Sequence, residues 1–177
     1  VLGLPYIGEE KWGGLALTLF IFVATCLIGF PLSILLALLR RSELPVISKG
    51  VGLLIDAVRS LPLLSILFAF AVVVPFMLPS WLQTGKLYRV ICGTALFFAA
   101  YQAEIIRGGM QGVATGQDEA AKSLGIGYWH RISRIILPQA MRNALPATIN
   151  QFVISFKETS LVIVVGFFEI LASGNAA

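Results

Sequence analysis

Charge is scarce in this sequence. Of its 177 residues only 12% are Asp, Glu, Lys or Arg, and 58% are hydrophobic, where a soluble domain carries roughly 25% charged and about 45–50% apolar residues. The composition is that of a membrane protein. Histidine is scarcer still: His130 stands alone, with no cysteine near it, so neither a zinc centre nor a Ser-His-Asp set is expected. The two cysteines, Cys26 and Cys92, fall in different apolar segments and read as small buried residues rather than a disulfide or a metal pair. A net charge of +4 is low for nucleic-acid binding. A phosphate loop is missing too. "TGKL" at 84–87 holds a Gly-Lys pair, but Ser80 stands where the loop's first Gly belongs and Leu87 where Ser or Thr belongs. This chain is therefore not expected to hold or hydrolyse a nucleotide itself.

Long apolar runs are what the sequence does have. Four segments, about Gly13–Leu39, Val51–Leu78, Leu87–Gln102 and Ala147–Phe168, are each near the roughly 20 residues that a spanning helix needs. They predict an all-α, polytopic transmembrane helical bundle with four spans, forming one domain over 1–177. Pro31, Pro62 and Pro75 lie inside these segments, where they should kink helices. Arg40, Arg41, Lys49, Arg107, Lys122, Arg131, Arg134 and Arg142 fall on one side, and Lys11, Lys86 and Arg89 on the other, eight against three. The positive-inside bias then puts the polar stretch from Glu104 to Asn143 in the cytoplasm and the N-terminus outside. Val1 is not an initiator Met, and "FFEILASGNAA" stops without a basic anchor, so a fragment of a longer membrane protein is expected.

The polar stretch contains "TGQDEAAKSLGIGYWHRISRIILPQA". Thr115 with Asp118 resembles a capping box, residues 119–124 are good helix formers, and Gly125 is a natural stop that needs a positive φ. A second amphipathic piece runs from Tyr128 to Leu137. Trp129, Ile132, Ile135 and Ile136 should share one face, Arg131 and Arg134 should snorkel beside it, and Pro138 should end or bend it.

Glu119-Ala120-Ala121, three residues, Gly125, nine residues, Ile135, one residue and Leu137-Pro138 resemble the EAA loop of the integral membrane subunits of bacterial ABC importers. "WGGLALTL" from Trp12, "RSLPLLSILF" from Arg59, "AYQAEIIRGGMQGVATGQDEAAKSLG" from Ala100 and "FKETSL" from Phe156 are similar to the polar amino-acid permeases of that family. "ALLRRSELP", "VVVPFMLPSWL" and "GYWHR" look like its general L-amino acid branch, of the Aap and Bzt type. Ser60, Leu61 and Glu158 depart from the branch's Gly, Thr and Asp. The resemblance implies a MetI-like permease fold continuing into one further helix. It implies that Glu119, Ala120, Ala121, Gly125, Leu137 and Pro138 form the region that docks on a cytoplasmic ATPase. It implies a second permease chain, identical or not, two ATPase subunits holding ATP–Mg, a periplasmic substrate-binding protein, and a bacterial inner membrane. No cofactor is expected on this chain itself. A channel or secondary transporter is the alternative, and neither requires an ATPase-docking helix.

Lys157 and Glu158 stand at the centre of the last apolar run, followed by Thr159 and Ser160. An ionised side chain there costs at least about 2.5–3.5 kcal/mol. Neighbouring helix positions point about 100° apart, so the two do not simply pair with each other. Each needs a partner across a helix interface or in a wet cavity. A free amino acid offers both: a carboxylate for Lys157 and an ammonium for Glu158, with the hydroxyls adding hydrogen bonds. A structural network with Arg59 or Asp56 is the other reading, and Asp56 and Arg59 are spaced to pair with each other. Tyr101 and Gln102 are weaker candidates.

Overall fold

A computed structural model describes residues 14–79, 81 and 84–166. The expectations that rest on Lys11, Trp12, Ser80 and the segment 167–177 fall outside the described residues. All regular structure among the described residues is helical: α1 (Gly14–Arg40), α2 (Pro45–Ser60), α3 (Leu63–Phe68), α4 (Val74–Met77), α5 (Lys86–Gln111), α6 (Thr115–Ser123), α7 (Tyr128–Arg131) and α8 (Leu137–Glu158). A 3-10 segment, Thr159–Val165, continues α8. Helices α1 and α5 are long and apolar enough to cross a membrane, and α2 with α3–α4 adds a third span if the bent pair counts as one. The fourth apolar run differs from expectation. Its helix starts at Leu137, ten residues early, and Arg142, Asn143, Asn150 and Gln151 dilute its apolarity.

The second run is not one straight span either. Its two halves meet at 102° across Leu61–Pro62. Leu61 is extended (φ −95°, ψ 142°), as a residue ahead of proline prefers. Proline acts differently at Pro75 and Pro138. Each is preceded by a π-helical turn, Ala69–Val73 and Ile132–Ile136. The residue just before each proline donates to the carbonyl five back, Val74 to Ala69 and Leu137 to Ile132. The widened turn makes room for a ring that would otherwise press on the carbonyl four back. Pro138 thus neither ends nor breaks the helix; it sits in the first turn of α8.

In lipid, helices gain little from apolar burial against each other and associate through close packing and polar contacts. The bundle shows both. Helices α1 and α5 run parallel, with the Cβ-less face of Gly29 against the Phe98 ring and the Ala95 carbonyl. Inside that interface the Thr25 and Thr94 hydroxyls share a 2.7 Å hydrogen bond. Helix α8 runs antiparallel to α5. Gln102 Nε2 donates to Thr148 Oγ1 at 2.8 Å, and Asn143 Nδ2 to the Gly109 carbonyl at 3.2 Å. Leu17, Ile21, Phe98, Ala99 and Ile106 are fully enclosed, while Leu15, Leu27, Ile28 and Leu35 face outward. Arg40, at the end of α1, approaches Glu104 of α5, so the last turns of both helices bring Arg40, Glu104 and Arg107 to one basic end of the bundle, opposite Lys86 and Arg89 at the start of α5.

Candidate functional site

At that basic end α6 forms a short amphipathic helix. It is not closed by the expected capping box: Ala114 is the N-cap, without a side-chain hydrogen bond, and Thr115 is already helical. Asp118 is engaged elsewhere. Lys122 Nζ lies 2.7 Å from its Oδ2, and Arg131 Nε lies 2.8 Å from its Oδ1. The C-terminal end follows expectation. Gly125 has φ +69°. Its N–H donates to Lys122 O at 2.9 Å and the Ile126 N–H to Ala121 O at 3.0 Å, the paired bonds of a Schellman stop. Glu119 and Ala120 are exposed, and Ala121 is buried against the turn below. Leu137 is half-buried and Pro138 exposed at the start of α8. Asp118 ties α6 to Arg131 at the end of α7, and Gln139 Nε2 donates to Gln117 Oε1 at 3.3 Å, tying α6 to the first turn of α8. Trp129 does not join Ile132 and Ile136 on the buried face; it is 73% exposed.

The Lys122 hydrogen bond, with the charges of Arg131, Lys122 and Arg41, holds the Asp118 carboxyl below its usual range against the opposing effect of burial. A carboxyl depressed in the folded state contributes stability above its unfolded pKa and loses it as pH falls through the folded value. Amide protection over residues 115–131, corrected for intrinsic exchange, should stay level from neutrality to about pH 5. It should fall as pH drops below about 4. Asp118→Asn should show the low protection at every pH; a wild-type-like profile in that variant would remove Asp118 as the anchor of α6.

A second cluster lies beside α6. Glu104, 12% exposed, is approached by three guanidiniums. Arg107 Nε and Nη2 donate to it at 2.8–3.0 Å, Arg40 Nη1 lies at 2.8 Å and Arg59 Nη1 at 3.8 Å. Arg40 also forks onto Asp56 at 3.0 and 3.1 Å. The expected Asp56–Arg59 pair does not form, since Arg40 takes Asp56 and Arg59 turns to Glu104 and the face of Tyr101, 5.2 Å from the ring centre. In the sequence Glu104 reads only as the first residue of a polar stretch. Its i,i+3 spacing to Arg107 was the one local signal available.

Lys157 and Glu158 close α8, and Thr159 opens the 3-10 segment. Neither charge forms an ion pair among the described residues, and Arg59 is engaged at the basic end instead. Thr159 Oγ1 donates to Phe156 O at 2.7 Å and Ser160 Oγ to Lys157 O at 2.8 Å. Both hydroxyls thus serve the helix end. Lys157 is exposed and Glu158 half-buried. Gln102 is fully buried on Thr148, and Tyr101 donates to Arg59 O at 3.3 Å.

The sequence pattern of a known family, described as "Binding-protein-dependent transport system inner membrane component", matches residues 29–176. The inner membrane amino-acid ABC transporter permease protein YhdY of Escherichia coli (strain K12) is 40% identical over 174 residues, covering 98% of this chain and 47% of that protein. The glutamate/glutamine/aspartate/asparagine transport system permease protein BztC of Rhodobacter capsulatus is 40% identical over 169 residues, covering 95% of this chain and 39% of that protein. The chain therefore spans less than half the length of these two relatives. A solved structure, described as the crystal structure of an amino acid ABC transporter with histidines, superposes with a TM-score of 0.79 at 31% identity, over 92% of this chain and 75% of that one. With the match over residues 29–176 and the helical fold in agreement, the chain belongs to the family of binding-protein-dependent transport system inner membrane components.

Proposed function

We propose that this chain is the translocating subunit of an ABC importer for L-amino acids in a bacterial inner membrane. It pairs with a second permease chain, identical or a sister. Two ATPase subunits hold ATP–Mg and act from the cytoplasmic side, and a substrate-binding protein delivers from the other. The observation that carries this reading is the build of α6. It offers Glu119 and Ala120 outward, ends sharply at Gly125, and is tied by Asp118–Arg131 to α7, which runs through the π-turn into α8, and by Gln117–Gln139 to the first turn of α8. A partner that moves α6 also moves the helix that ends at Lys157 and Glu158. The membrane subunits then exchange between outward-open and inward-open states, and ATP binding biases that equilibrium. A channel or secondary transporter has no use for such a docking helix.

Lys157 and Glu158 are the proposed contacts for the substrate's carboxylate and ammonium, with Thr159 and Ser160 shaping the helix end beside them. Arg59 belongs to the path through the Glu104 cluster at its inner mouth. The test is ATP-driven uptake of L-amino acids into proteoliposomes holding the full complex. Glu158→Gln keeps the shape but removes the charge. A hydrogen bond to a charged group contributes roughly 1.5–3 kcal/mol against about 0.5–1.5 for a neutral one, so apparent affinity should fall about fivefold or more. Lys157→Met should weaken affinity for whole amino acids more than for analogues lacking the carboxylate. Unchanged affinity in both variants, at matched amounts of complex, would rule out substrate contact by this pair. Absence of ATP-driven uptake in the wild type would remove the importer reading.

A further inference from the structure

A cleft of about 500 Å³ opens at the basic end between the termini of α1 and α5 and the side of α6 that carries Thr115, Asp118, Glu119 and Lys122. Its cationic wall includes Arg41, Arg107 and Lys122, and its apolar wall Met110, Val113 and Ile136. Arg40, Asp118 and Glu119 complete the charged lining. The cations are not equally committed. Arg107 uses Nε and Nη2 on Glu104, which leaves Nη1. Lys122 holds Asp118 with one of its three protons. Arg41 makes no ion pair among the described residues, and it follows directly on the last residue of α1. A membrane-spanning helix that ends at Arg40 puts the next side chain at headgroup depth.

We propose that this cleft binds the headgroup phosphate of an anionic membrane phospholipid, with Arg41 as the principal contact and Lys122 and Arg107 Nη1 supporting it. A soluble phosphate would use the cations alone. The apolar wall beside them suits a molecule that is charged at one end and apolar just below it. Basic pockets between membrane helices on the cytoplasmic side favour such headgroups, by about 1 kcal/mol per Lys or Arg near the surface. Asp118 and Glu119 oppose binding in part and set the cleft apart from a plain cationic patch. The inference rests on the orientation with the basic end inward and not on the transport reading, since lipid retention is read without ATP or substrate.

The full-length protein in its native assembly, extracted into a neutral detergent, is titrated with dioctanoyl phosphatidylglycerol and followed by native mass spectrometry. Dioctanoyl phosphatidylcholine and inorganic phosphate are the comparisons. The wild type should retain the anionic lipid saturably and the zwitterionic lipid far less. Added salt should weaken retention, as screening requires. Arg41→Gln should lose about fivefold in affinity, whereas Arg41→Lys should keep most of it. Lys122→Gln should lose less than Arg41→Gln. Lys49→Gln, a change of equal charge on α2 outside the cleft, should bind as wild type. Equal retention in wild type and Arg41→Gln would overturn the site. Equal retention of phosphatidylcholine would show an apolar groove instead, and inorganic phosphate binding as tightly as the lipid would overturn the lipid assignment.

Discussion

Gly109→Ala is expected to destabilise the bundle, while Gly108→Ala, one residue away, is expected to stabilise it slightly. A Cβ on Gly109 would stand 2.3 Å from the Ala140 carbonyl oxygen and 2.9 Å from the Ala144 Cβ. The obstacle is backbone, which no rotamer change can clear, so α5 and α8 must separate. Overpacking of this kind costs roughly 1–3 kcal/mol, and the upper end applies where the obstructing atom cannot move. Separation would also lengthen the Gln102–Thr148 and Asn143–Gly109 hydrogen bonds that cross the same interface. A Cβ on Gly108 meets nothing within 4 Å, and alanine gains roughly 0.5–1 kcal/mol over glycine inside a helix. The midpoint of SDS-driven unfolding in mixed micelles should therefore move in opposite directions for the two variants. Equal shifts would mean that α5 and α8 do not approach as closely as described.

Glu104→Gln is expected to cost about 3 kcal/mol. The change leaves the volume intact but removes the only negative charge at bonding distance from Arg107 among the described residues, where it also leaves Arg40 with Asp56 alone. Breaking a buried ion pair by removing one partner costs roughly 3–5 kcal/mol. The lower end applies because Arg59 and Arg107 are about a third exposed. Pairing the change with Arg107→Met should recover part of the loss, since one uncompensated cation is then gone. Glu119→Gln, on the exposed face of α6, should stay within about 0.5 kcal/mol of wild type in the same unfolding assay. A Glu104→Gln protein as stable as Glu119→Gln would show that the three guanidiniums do not depend on this carboxylate.

What could be read from sequence was what depends on near neighbours. The first apolar run gave α1 almost to the residue, and Gly125 announced both a helix stop and its positive φ. The third run was read as ending at Gln102 because Glu104 and Arg107 follow. The helix instead carries both to Gln111, where they satisfy each other and two arginines from elsewhere in the chain. Long-range partners also defeated two local pairings. Asp56 and Arg59 have the right spacing, but Arg40 and Glu104 reach them first. Thr115 with Asp118 has the spacing of a capping box, but Asp118 ties to Lys122 and Arg131 instead and Ala114 is the N-cap. Proline was legible as a disturbance but not in kind. Pro62 breaks the chain direction, whereas Pro75 and Pro138 are absorbed by π-turns. Lys157 and Glu158 stand out in the sequence as charges inside an apolar run, and their lack of ion-pair partners among the described residues is what the structure adds.

In the proposed importer α6 carries the ATPase's motion into the membrane helices, and its shape depends on Gly125. A valine at φ +69° meets the strain that left-handed backbone imposes on side chains, roughly 1–2 kcal/mol before β-branching adds to it. The Schellman stop should open and the docking helix should fray. The direct measurement is ATP hydrolysis by the reconstituted complex, with and without substrate-loaded binding protein. Gly125→Val is compared with Gly127→Ala, where a Cβ meets nothing within 4 Å and φ is −62°. Stimulation should collapse towards the basal rate in Gly125→Val and persist in Gly127→Ala, with both chains present in the membrane at wild-type amounts. Full stimulation in Gly125→Val would contradict the account.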